Sequence, residues 1–330
     1  MQPHEQVEAE WADVNELDHR NMVACSSGTA ALHLAMEAAK LIPNANVAIP
    51  DYTMAACARA VVLARHRVRL LDCDPQSLLI DNVPNDTEQT IYGRPDSVMA
   101  VHVYGRAVDM DKLNESMTSS TWVVEDLAEA HGVKPQTWTD AACWSFYQNK
   151  IVGGEEGGAV YFADRKDAEY ARSLRSLGFV YDQDGGHDYT HVPFGHNYRM
   201  SKSHAELVLR SIWAMPENVK RRWDQLDVYR AATPVMMLRR RPDAPWVHDI
   251  DLPANANAKE VYETLRAKGF SVRYGFKPMS KQSEFRNVTG VNTELVWKRV
   301  LYINLMPTTT LERVKHMAEV LKTVLEPLEG

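Results

Sequence analysis

Lys150 stands where a strand gives way to a glycine-rich turn. Ser145-Phe146-Tyr147-Gln148-Asn149 precedes it, and Ile151-Val152-Gly153-Gly154-Glu155-Glu156-Gly157-Gly158 leads into a second apolar strand. Glycines at such a place let backbone close tightly on a ligand. A lysine among apolar and aromatic residues can lose its charge and attack a carbonyl. A solvated turn lysine is the alternative. Two other stretches could serve the same ligand. Ser26-Ser27-Gly28-Thr29-Ala30-Ala31-Leu32 follows a strand and opens a helix. Its first N–H groups and hydroxyls could hold a phosphate, or Ser27 or Thr29 could simply cap the helix. The pattern is neither a Walker A loop nor a G-x-G-x-x-G turn, which argues against a nucleoside triphosphate or a dinucleotide. Glu125-Asp126-Leu127-Ala128-Glu129-Ala130-His131 follows the strand end Val123-Val124. A carboxylate there could pair with a protonated ring nitrogen, or could be an ordinary acidic helix N-terminus.

The elements that must position these residues alternate. Strands are expected over 22–25, 47–50, 68–72, 97–104, 122–125, 141–146 and 159–162. Helices are expected over 5–17, 29–41, 54–65, 110–117, 166–177 and 202–213. Val-, Ile- and Ala-rich strands alternating with amphipathic helices imply an α/β fold, a mostly parallel sheet covered on both faces. Ligands in such sheets sit beyond the carboxyl ends of the strands. Residues 178–199 form a long irregular segment carrying His187, His191 and His196, and a loop of that length is commonly functional. The chain changes character within 217–229. Beyond it, strands over 246–252, 271–276 and 300–305 and helices over 258–268, 294–298 and 311–325 suit a small α+β domain. The division expected is a large α/β domain over 1–215 and a small C-terminal α+β domain over 216–330.

Composition sets the bounds. The 330 residues are 45% hydrophobic, enough for a sizeable core. A net charge of -7 gives no reason to expect a nucleic acid or membrane surface as partner. Arg239-Arg240-Arg241 before Pro242 reads as a solvated loop. Cys25, Cys57, Cys73 and Cys143 lie in apolar stretches without C-x-x-C spacing, so reduced core residues are expected and no metal site is read from them. With no signal peptide and no bilayer-length apolar run, a cytoplasmic location is expected.

The ordered motifs resemble the DegT/DnrJ/EryC1/StrS family of pyridoxal phosphate (PLP) aminotransferases. Ser145, Phe146, Tyr147, Lys150, Glu156, Gly157 and Gly158 match the family's lysine segment; Glu155 stands where the family usually has a glycine. Gly28, Thr29, Ala31 and Leu32 match its Gly-Thr-x-Ala-Leu segment. Residues 125–132 fit Glu-Asp-x-Ala-Gln/Glu-Ala-His-Gly throughout. Pro50 and Thr53 match a segment in which Met54 replaces the usual aromatic ring. His102, Tyr104, Gly105, Asp109 and Met110 match a turn-to-helix segment, in which Tyr104 is either core or site. Gly195, Asn197, Tyr198, Arg199 and Met200 match Gly-x-Asn-Tyr-Arg-Met. The resemblance covers residues 22–215 well and the rest in outline.

The resemblance implies a fold-type I PLP-dependent transferase, dimeric with shared active sites. It implies a Schiff base between Lys150 and the cofactor, with Asp126 at the pyridinium nitrogen and Glu129 near the ring's 3-oxygen. It implies that Gly28 and Thr29 belong to the segment that holds the phosphate, that Ser145 is a further cofactor-binding residue, and that Asn197 reaches the phosphate of the other subunit. Met54 is a cofactor-contact candidate, since a thioether can pack on a π face; on spacing alone Asn197 would be a turn or capping residue. The reaction implied is a ping-pong transfer of an amino group from an amino acid, glutamate by family habit, to a keto-sugar, nucleotide-linked. His187, Asp188, Tyr189 and His191 are either acceptor contacts or part of a structural loop. Two alternatives stand beside this reading. One is an eliminating sugar dehydratase, against which Lys150 argues because dehydratases of the family carry histidine there. The other is a non-catalytic homologue, against which the completeness of the residue set argues.

Overall fold

The computed structural model describes residues 1–83, 94–180, 189–285 and 290–329. The segments read as strands form a seven-stranded sheet. They are β1 (Met22–Cys25), β2 (Asn46–Pro50), β3 (Arg67–Leu71), β4 (Ser97–Val101), β5 (Trp122–Asp126), β6 (Ala141–Ser145) and β7 (Gly158–Phe162). The spatial order is β1-β7-β6-β5-β4-β2-β3. β3, β2, β4, β5 and β6 pair in parallel, and β7 runs antiparallel to both β6 and β1. β1, β4 and most of β5, β6 and β7 are buried, which is why they read as unbroken apolar runs rather than alternating ones. The helices α2 (Gly28–Ala38), α3 (Ala55–Leu63), α4 (Met110–Glu115) and α5 (Arg165–Arg175) connect or cover these strands. The sheet is thus the mostly parallel one expected, with one antiparallel strand inside it.

One strand ends sooner than its apolar run. The run over 97–104 stops at Val101, and residues Val103–Gly105 form a single 3-10 turn. Tyr104 takes a left-handed conformation there (φ 54°, ψ 33°). Two interactions hold it. Its N–H donates to Glu129 Oε2 at 3.0 Å. At Gly105 a Cβ would stand 2.1 Å from the carbonyl of Ala244, so only glycine fits. Tyr104 is fully buried, and its hydroxyl pairs with that of Tyr52 at 3.0 Å.

The N-terminal helix α1 (Pro3–Asn15) supports the sheet from outside. Trp11 is fully buried. Its ring meets Trp144 and Phe146 edge-on at 5.9 and 5.3 Å. α1 therefore packs under β6 and the strand end that leads to Lys150. Truncating a buried tryptophan of this kind costs about 3–5 kcal/mol, so α1 supports the strand that leads to Lys150 through packing.

After α6 (Lys202–Trp213) and α7 (Met215–Ala231) the chain forms a second, antiparallel sheet. Its order is β8-β10-β9, from Val247–Asp251, Val300–Asn304 and Val272–Tyr274. α8 (Ala258–Ala267) and α10 (Leu311–Leu325) pack with α7 around Leu226, Ile250, Leu265, Leu301 and Leu321. α9 (Val291–Val296) starts three residues before the expected short helix.

Candidate active site

The carboxyl ends of β1, β2, β4, β5 and β6 meet at one cavity of about 390 Å³, a size suited to a small cofactor with part of its substrate. Gly28 and Thr29 reach it from the end of β1, Met54 from β2, Asp126 and Glu129 from β5, and Ser145 and Lys150 from β6. Residues from four separate motifs are thereby brought together.

The β1 side is built for close approach. Ser27 caps α2, its side chain accepting from the N–H of Ala30 at 3.1 Å. That leaves the N–H groups of Gly28 and Thr29, which have no helical acceptor, facing the start of the helix. A Cβ at Gly28 would stand 2.6 Å from Ser145 Cβ, so glycine is needed for the helix to meet β6. A Cβ at Gly158 would stand 2.4 Å from the carbonyl of Ser27. The first turn of α2 lies pressed against β6 and β7, with free donors and the positive helix end at the cavity.

On the β5 side, Asp126 is nearly buried. Its Oδ1 accepts from the N–H of Ala128 at 3.0 Å, and its Oδ2 accepts from the Cys57 thiol at 3.2 Å. Burial holds the Cys57 thiol well above its ordinary pKa, so it stays a donor. Both oxygens of Asp126 are oriented before any ligand arrives. Glu129, also buried, accepts from the N–H of Tyr104 on Oε2 and faces Lys150 Nζ at 3.6 Å with Oε1. Burial pushes the Glu129 carboxyl up to about 7, against the pull of Lys150. It therefore titrates near neutrality, within reach of the lysine. His131 is buried neutral, its pKa lowered to about 3 chiefly by loss of water. It accepts from the N–H of Val152 at 3.1 Å and so fixes the turn after Lys150.

Lys150 has further partners that its neighbours in sequence do not announce. Its ammonium lies 4.1 Å from the centre of the Trp246 ring. The indole N–H of Trp246 donates to the carbonyl of Asn149 at 3.0 Å. Arg222, on α7, donates to the carbonyls of Lys150 at 3.1 Å and Trp246 at 3.2 Å. Burial lowers the Arg222 pKa to about 10, which leaves it charged at neutral pH. Trp246, Phe276 and Tyr302 close the cavity from the C-terminal part of the chain. Sequence reading missed these three and Arg222. Nothing in their spacing marks them, and only the docking of the second sheet brings them near.

The other candidates are placed unevenly. Met54 lines the cavity and is about half exposed at its mouth. Tyr52 is fully buried beside Tyr104, Phe276 donating its N–H to the phenol oxygen at 3.2 Å, so it does not take the place of the missing aromatic. Asn197 is exposed and lies outside this chain's cavity. Tyr189 is exposed, and His191 Nδ1 donates to the carbonyl of Leu177 at 2.9 Å, so neither lines the cavity. His187 and Asp188 lie outside the described residues. At the turn after Lys150, Glu155 adopts φ 63°, the left-handed conformation that a glycine takes without strain.

Comparisons with known proteins give the family and the fold. The family model described as DegT/DnrJ/EryC1/StrS aminotransferase matches residues 3–322. GDP-perosamine synthase of Caulobacter vibrioides is 30% identical over 290 residues, which cover 83% of this chain and 76% of that one. A UDP-N-acetyl-3-dehydro-alpha-D-glucosamine 3-aminotransferase of Acidithiobacillus ferrooxidans is 28% identical over 97% of this chain and 88% of its own. Among solved structures, the Helicobacter pylori aminotransferase PseC, involved in the biosynthesis of pseudoaminic acid, superposes with a TM-score of 0.88 at 17% identity, over 99% of this chain and 92% of that one. With the motifs, the α/β architecture and the cavity in agreement, the chain belongs to the DegT/DnrJ/EryC1/StrS aminotransferase family.

Proposed function

We propose that this protein moves an amino group from an amino acid, glutamate in the first instance, to the carbonyl of a nucleotide-linked keto-sugar, with PLP as cofactor. The observation that carries the reading is the meeting of Lys150, Asp126, Glu129, Ser145 and the Gly28–Thr29 helix start in one cavity. The donor set fits PLP. Gly28 and Thr29 offer free N–H donors to a phosphate, with Ser145 beside them; Asp126 offers an oriented carboxylate to a ring nitrogen; Lys150 offers an amine to an aldehyde. Met54, at the mouth, would be the residue that contacts the ring.

When bound, the cofactor supplies an aldehyde for Lys150 to bond and a ring that accepts the electron pair left when Cα loses its proton. Asp126 holds that ring nitrogen protonated. Lys150, freed by the donor's amine, would be the group placed to take the proton from Cα and to give it back. Glu129, poised near neutrality, receives or releases a proton beside it. Trp246 and Arg222 hold the lysine's backbone and head in place during that movement. The sugar enters past Met54, the exposed side of the cavity. Relatives named for nucleotide-linked sugars support this acceptor class.

The test is a panel. Enzyme treated with glutamate and freed of it is offered GDP-, UDP- and dTDP-linked keto-sugars, and amine on the sugar is read by mass spectrometry. Lys150→Ala should lose both the visible absorbance of the lysine-bound cofactor and all transfer. A Lys150→Ala protein that stays yellow and active would sink the assignment.

A further inference from the structure

We propose that His33, Glu37 and His196 form a binding site for a divalent transition-metal ion of the zinc type, separate from the cavity that holds Lys150. The three side chains offer two imidazole nitrogens and a carboxylate, with ligand atoms that all lie within 4.8 Å of one another. His33 and Glu37 are four residues apart on α2, so they share one face of the helix. His196 comes from the irregular segment, where Leu177 N–H donates to its carbonyl at 3.0 Å. The site therefore depends on tertiary structure, and only its His33–Glu37 half has a sequence signal.

Hydrogen bonding alone does not account for the cluster. His196 Nε2 meets Glu37 Oε2 at 2.7 Å. His33 is 2% exposed, with the backbone of Leu63 among its polar neighbours, and its Nε2 makes no hydrogen bond of ordinary geometry while facing Glu37 Oε1 at 3.6 Å. A buried polar nitrogen left unpaired is costly. A metal ion between the three groups would satisfy it. The other nitrogen of His33, Nδ1, lies 3.0 Å from the hydroxyl of Tyr198. That is the outer partner a metal-binding histidine needs to fix its ring and tautomer. Glu37 and His196 each expose about a quarter of their side chains (26% and 27%), which leaves a path for the ion and a place for water as fourth ligand. Imidazole with carboxylate favours zinc over calcium or magnesium. Bound metal would staple α2, whose first turn lines the cavity, to the segment that carries Asn197. The proposal stands on these ligands alone, whatever the acceptor of the amino group.

The test uses the full-length, cofactor-loaded protein stripped with dipicolinate and re-exposed to ZnCl2. Wild type should retain one zinc per chain after gel filtration, and cobalt in its place should give visible bands of a nitrogen–oxygen site. Glu37→Gln and His196→Asn should each lose that zinc, while His316→Gln, a histidine exposed on α10, should keep it. Tyr198→Phe keeps all three ligands and should weaken zinc binding about 10- to 100-fold. This variant decides the matter should either ligand variant fail to fold. Wild type that retains no zinc overturns the proposal. So does zinc retained equally by the Glu37, His196 and Tyr198 variants.

Discussion

The ammonium of Lys150 sits over the ring of Trp246, 4.1 Å from its centre, and the same indole anchors the carbonyl of Asn149, one residue before the lysine. The two residues are 96 positions apart in sequence. Trp246 thus does two things to Lys150: it attracts the charged head and fixes the backbone beneath it.

Trp246→Leu should therefore slow transfer without emptying the site. A desolvated cation–π contact is worth roughly 1–2 kcal/mol, and 1.36 kcal/mol is tenfold in rate. A fall of about tenfold in kcat is expected, with the cofactor's absorbance still formed and Trp246→Phe closer to wild type. Single-turnover rates with glutamate would check it. Unchanged rates in Trp246→Leu would leave the tryptophan a packing role only.

How far the sequence could be read depends on whether a residue's partner is local. Gly28-Thr29, Asp126, Glu129 and Lys150 each follow a strand end, and strand ends of a parallel sheet converge. Their meeting was therefore legible before any coordinates. The left-handed turn at Tyr104 was not, because its cause is a carboxylate 25 residues away, Glu129. Neither were Trp246, Arg222, Phe276 and Tyr302, which enter only when the second sheet docks. The antiparallel course of β7 was hidden as well. Its Gly158-Ala159-Val160 run is as apolar as a parallel strand, and the short turn after Lys150 is what returns the chain against β6.

Glu129 gives a pH dependence with a definite sign. Its carboxyl has an ordinary value of 4.5 and lies at about 7 in the fold, raised by burial. A raised carboxyl stabilises the fold fully below the unfolded value and loses that contribution as pH rises through the folded one. Over that span, at 1.36 kcal/mol per unit, the loss is about 3 kcal/mol. In the cofactor-free protein, chemical denaturation from pH 4.5 to 8 should show wild type losing stability relative to Glu129→Gln. Parallel curves would mean that the carboxylate is already compensated throughout.

Glu155 holds a left-handed conformation (φ 63°) that its neighbour Gly157 could adopt freely. A side chain there costs about 1–2 kcal/mol, and glycine brings back an entropic penalty of about 0.5–1 kcal/mol. Glu155→Gly should thus be neutral to stabilising by about 1 kcal/mol, and Glu155→Val should be destabilising. Gly158→Ala should be far worse, since its Cβ would meet the Ser27 carbonyl at 2.4 Å. Thermal unfolding of the three variants reads the order directly. A destabilised Glu155→Gly would show that the glutamate's own contacts outweigh its strain.

Asn197 carries the last prediction, that each active site is shared between two chains. It is exposed and outside the cavity of its own chain, yet its neighbour Tyr198 is tied by its carbonyl to the N–H of Ser26 at 2.8 Å. The backbone is thus fixed beside Ser26, just before the first turn of α2, while the side chain stays outside the cavity, as a residue serving a second chain must. Asn197→Ala and Lys150→Ala should each inactivate the homodimer. In a mixed dimer, the chain that keeps Lys150 receives Asn197 from its partner, and one site is whole; the other site carries both lesions. Re-formed mixtures should recover a fraction of wild-type activity, up to half per mixed dimer. Exchange has to be shown separately, for instance by affinity tags on the two variants. If exchange is complete and no activity returns, Asn197 acts within its own chain and the shared site is rejected.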